Sequence, residues 1–126
     1  MNQIQQRRYP RIMTYLAVAL RFPDVEPAEG WGWILDLSGN GVRVETRSPL
    51  RVGQGIYVSF QVSDQYVFEN LRAEAVRVAW DMGYHIAALA FDETVDFDYV
   101  AEAVRFIASQ GPNAFPLPPV RLEPLA

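Results

Sequence analysis

Apolar and polar residues alternate along this chain in short runs, and turn residues separate the runs. Leu16, Val18, Leu20 and Phe22 alternate with Tyr15, Ala17, Ala19 and Arg21. Ile56, Val58, Phe60 and Val62 alternate with Tyr57, Ser59 and Gln61. Trp31 to Leu35, Val42 to Thr46, Leu71 to Trp80 and Tyr84 to Phe91 complete the set. A period of two sends successive side chains to opposite faces, so each run reads as a half-buried strand. Asn40-Gly41, Ser48-Pro49, Gly53-Gln54-Gly55 and Asp81-Met82-Gly83 supply the turns. Asn40-Gly41 is the expected hairpin dipeptide, because both residues tolerate φ > 0. Six strands at this spacing predict an antiparallel β-barrel, whose closure removes exposed edges.

One helix follows. Phe97, Val100, Val104 and Ile107 share a face at helical spacing, with Asp96 as N-cap. Asp98 and Glu102 suit its positive end, and Gly111-Pro112 stops it. The predicted class is therefore all-β with one C-terminal helix. Residues 1–11 form a flexible basic arm, 12–110 the barrel with its helix, and 111–126 a proline-rich tail that is mobile or docks as polyproline II. Pro10 biases Tyr9 away from helical backbone. In an extended arm, Arg7 and Arg11 share one side about 13 Å apart.

A chain of 126 residues with half its residues apolar fits one folded domain. Absence of cysteine excludes disulfide and thiolate chemistry and fits a cytoplasmic protein. The longest apolar stretch, Ile12 to Leu20, is far below the ~20 residues that span a bilayer, so no membrane insertion is expected. All 11 basic residues are arginine. Residues 1–23 carry +4 and the remainder −8. A general nucleic-acid binder needs an extended basic surface, whereas a local arginine cluster on an acidic body suits a small anion.

Catalysis finds little support. His85 is the only histidine, which leaves neither a histidine metal cluster nor a conventional triad. The acids Asp92, Glu93, Asp96 and Asp98 lie at a helix start, where dipole complementation explains them better than Mg²⁺ does.

Two short motifs remain: Arg7-x-x-x-Arg11, and Asp36-Leu37-Ser38-Gly39-Asn40-Gly41. Terminal arginines are usually just solvated, and the second motif has a plain account as an Asx-type turn. It also mimics the opening of an EF-hand loop, but the twelfth position is Arg47, where a bidentate glutamate is required. The residue types suit a guanine-bearing dianion. Guanidinium groups take phosphate, or guanine O6 and N7, bidentately, and a carboxylate accepts from guanine N1–H and N2–H.

Gln6 to Arg11, Asp36 to Val44 and the final strand Gly83 to Phe91 together resemble the PilZ-domain family of cyclic di-GMP (c-di-GMP) receptors. The resemblance covers residues 6 to 108. It implies a six-stranded barrel with ligand bound on its outer surface. By matching position, Arg7 and Arg11 would hold guanine edges and phosphates with Arg8 assisting. Asp36 and Ser38 would bind a guanine, and Gly41 would shape the turn beneath it. Trp80 would be a stacking or wall residue, or simply an aromatic at the barrel rim. The implied protein is not an enzyme and has no cofactor. It is a sensor that orders its arm around c-di-GMP and passes the signal to a downstream protein. The alternative is an interaction adaptor with the same barrel that does not use the nucleotide.

Overall fold

The structure, a computed structural model, describes residues 9–25 and 28–110. Six strands, β1 (Ile12–Arg21), β2 (Glu29–Ser38), β3 (Gly41–Thr46), β4 (Gly55–Gln61), β5 (Val67–Asp81) and β6 (Tyr84–Phe91), precede one helix, α1 (Phe97–Gln110). They close into an antiparallel barrel in the order β1-β2-β3-β6-β5-β4. Inward positions build the core: Val18 and Leu20 from β1, Ile34 and Leu37 from β2, Val44 from β3, Val58 from β4, Ala75 from β5, and Ala87 and Leu89 from β6. Fully burying a Val, Leu or Ile side chain is worth about 1.5–3 kcal/mol, so this inward row drives closure.

Helix α1 packs on the core through Val100, Ala103, Val104 and Ile107. Asp96 is its N-cap, its Oδ1 accepting from the Tyr99 amide at 3.1 Å. Residues 1–8 of the predicted arm (1–11) and the predicted tail (111–126) lie outside the described residues.

Three expectations about local structure need correction. β2 runs on through Ser38 rather than ending at Leu35, so Asp36 and Ser38 are strand residues. The two-residue hairpin is Gly39-Asn40, because Ser38 pairs with Gly41. Among the described residues, left-handed backbone occurs at Gly53, Asn70, Met82 and Gly83, not at this hairpin. Met82-Gly83, between the paired Asp81 and Tyr84, is the turn that uses two positive φ values.

The motif glycines serve close approach instead. A Cβ on Gly39 would lie 2.5 Å from Tyr9 Cδ1 and 2.8 Å from the Phe97 carbonyl oxygen. A Cβ on Gly41 would meet the Leu89 carbonyl oxygen at 2.8 Å. Gly41 thus lets β3 press against β6, rather than shaping a turn by its φ.

Candidate functional site

A bulge at Leu35 sets the site. Ile34 pairs with Val44 while Asp36 pairs with Arg43, so β2 spends two steps where β3 spends one. Ile34, Leu37, Val42 and Val44 face the core, which leaves Asp36 and Arg43 side by side on the outer surface. Opposite-charge cross-strand pairs of this kind stabilise a sheet. Arg43 Nε donates to Asp36 Oδ2 at 2.8 Å. Arg11, immediately ahead of β1, brings its Nε to 3.9 Å from Asp36 Oδ1. The carboxylate is 8% exposed, against 51% for the Arg11 side chain and 40% for that of Arg43. Two accessible cations therefore flank one sheltered anion.

Ser38 closes the hairpin beside them. Its hydroxyl donates to Asn40 Oδ1 at 2.8 Å, with the Gly41 carbonyl oxygen 3.3 Å away. Tyr9 joins the two motifs physically. Its ring lies against Gly39 and meets Phe97 edge-on at 5.8 Å. Its hydroxyl donates to Asp98 at 3.0 Å. The last residues of the arm are thereby anchored to the hairpin and to the start of α1.

Of the candidate residues, Arg11, Asp36, Ser38 and Gly41 come together at one end of β2 and β3. Arg7 and Arg8 lie outside the described residues. Trp80 is elsewhere: it pairs with His85, which pairs with Thr46, which pairs with Gly32. That row lies four residues from Asp36 along β2. Thr46 is buried but Trp80, at the far end of the row, is 65% exposed, and it meets His85 edge-on at 4.8 Å. This is a position at the barrel rim, away from the Asp36 cluster.

Sequence reasoning missed Arg43. It lies on the polar face of a cleanly alternating strand, and only its register opposite Asp36 marks it. Asp92, Asp96 and Asp98 near α1 are engaged in local structure. Asp92 accepts from the hydroxyl and amide of Thr94 and pairs with Arg72 at 3.4 Å. Those Thr94 hydrogen bonds hold its carboxyl below its ordinary pKa, with help from the Arg72 charge. Among the described residues, no cluster of three or more metal-ligating side chains occurs, and no helix is long and apolar enough to cross a membrane.

The family profile of the PilZ domain matches residues 5–109. The chain belongs to the PilZ domain family. Several solved structures share the fold at low identity. YcgR from Escherichia coli in complex with c-di-GMP is 18% identical with a TM-score of 0.62, over 82% of this chain and 45% of that one. The PilZ domain of YcgR with c-di-GMP is 17% identical with a TM-score of 0.62, over 84% of this chain and 96% of that one. MrkH from K. pneumonia in complex with c-di-GMP is 13% identical with a TM-score of 0.65, over 87% of this chain and 53% of that one. This PilZ chain thus spans about half the length of whole YcgR and MrkH. Comparison with curated proteins gave no match.

Proposed function

We propose that this PilZ protein is a non-enzymatic receptor for c-di-GMP. The observation that carries the reading is the convergence of Arg11 and Arg43 on Asp36, beside Ser38, on the outer face of the barrel. Guanidinium groups suit the ligand's phosphates and the O6 and N7 of guanine. A carboxylate oxygen accepts two hydrogen bonds. Asp36 can therefore keep Arg43 on Oδ2 and still receive guanine N1–H and N2–H, with Ser38 beside it. Arg7 and Arg8 complete the phosphate and guanine contacts. Solved complexes of YcgR and MrkH with c-di-GMP support the assignment.

The signal would be the fixing of Arg7 and Arg8 over the ligand, hinged at the Tyr9 anchor, with altered contacts read by a downstream protein. Order gained by a segment on binding is an established kind of switch. One observation favours the adaptor reading instead: the Arg43–Asp36 hydrogen bond also has a purely structural role, holding β3 against β2.

Calorimetric titration with c-di-GMP, cyclic di-AMP and GTP separates the two. The receptor reading expects heat and saturation with c-di-GMP and much weaker binding of cyclic di-AMP, since adenine N6 presents a donor where the arginine fork needs an acceptor. No heat and no saturation with c-di-GMP at high concentration would overturn the receptor reading and favour the adaptor reading.

A further inference from the structure

The outer face beyond Asp36 is aromatic. Tyr15 and Trp33 stack with centroids 4.7 Å apart and planes 8° from parallel. Met13 pairs with Asp36 and Ala17 with Trp33, so Tyr15 lies between these rows, on the Asp36 side of Trp33. Trp33 is three residues from Asp36, about 10 Å along a strand. Met13 and Trp31, at the two ends of this strip, are 74% and 71% exposed.

Flat rings on a surface beside a cluster of guanidinium groups suit one class of occupant. A nucleotide base stacks on the rings while its phosphates meet the cations, an arrangement indifferent to the base's hydrogen-bonding edge. A macrocycle with two guanines presents a second base at some distance from the first. With one guanine on Asp36, the row toward Trp33 is the direction in which the same outer face offers a stacking surface.

We propose that Tyr15 and Trp33 form a second base subsite, stacking the guanine of c-di-GMP that Asp36 does not hold. The proposal rests on the receptor reading above. Both rings contact the base, Tyr15 on the side nearer Asp36 and Trp33 beyond it. The subsite adds affinity for a two-base ligand, while Asp36 and the arginines select guanine.

Two measurements test it on the full chain. In the Trp31→Phe/Trp80→Phe protein, Trp33 is the only indole, and saturating c-di-GMP is expected to quench its fluorescence. By calorimetry, Tyr15→Leu is expected to weaken c-di-GMP by roughly tenfold or more, the scale of one lost base–aromatic stack, and Tyr15→Phe to restore it. Unchanged Trp33 emission at saturation would overturn the subsite. So would a folded Tyr15→Leu protein that binds like wild type, and where that variant does not fold the emission alone decides. Absence of binding by the wild-type chain is a different result, and it removes the receptor reading itself.

Discussion

Arg11→Ala is expected to abolish most c-di-GMP binding while leaving the barrel nearly as stable as before. Its side chain is half exposed, and its ion pair with Asp36 is long at 3.9 Å. Such pairs contribute about 0–1 kcal/mol to folding. In the complex the same guanidinium would bond an anionic ligand, and truncating a desolvated charged contact costs about 2–5 kcal/mol, a loss of roughly thirtyfold to several thousandfold. Tyr9 would keep the arm's end anchored in the variant, since its contacts run to Gly39, Phe97 and Asp98. Calorimetry paired with thermal unfolding checks both halves. Wild-type affinity in a folded Arg11→Ala protein would make Arg11 an ordinary surface charge.

Asp36 has two jobs, and a pair of substitutions separates them. Asp36→Ala removes the partner of Arg43 and is expected to cost about 1–2 kcal/mol of stability, the range for a charged hydrogen bond reduced by the solvent that still reaches Arg43. Asp36→Asn keeps an oxygen for Arg43 Nε, so most of that stability should return. Binding should not return, because the amide replaces one acceptor with a donor that faces guanine N1–H or N2–H. The informative result is therefore a stable Asp36→Asn protein with affinity reduced at least tenfold, on the ~1.4 kcal/mol scale of one lost hydrogen bond to a charged group. Recovery of both properties in asparagine would confine Asp36 to holding β2 against β3.

Much of this was legible in the sequence for a specific reason. A strand with one face in the core writes its period of two openly, and β1, β3, β4 and β6 were found from it. The bulge at Leu35 interrupts that period in β2, so Asp36 and Ser38 looked like turn residues when they are outward positions of a strand. β5 was read from Leu71 but begins at Val67. Its pairing shifts register twice, opposite β4 and again between Ala75 and Arg77, and left-handed Asn70 falls within it. The site's Arg43 and the packing of Tyr9 on Gly39 depend on register and tertiary contact, which no local pattern encodes. Trp80 was read either as a stacking or wall residue or as a rim aromatic, and register sets it four residue steps along β2 from the Asp36 row.

The most direct test of the receptor account is an amide chemical-shift map of the protein titrated with c-di-GMP. The expected result is saturable shifts centred on Arg11 to Tyr15 and Trp33 to Arg43, with Thr46, Trp80 and His85 little changed. Shifts centred on Trp80 and His85, or no saturable shifts anywhere, would contradict it.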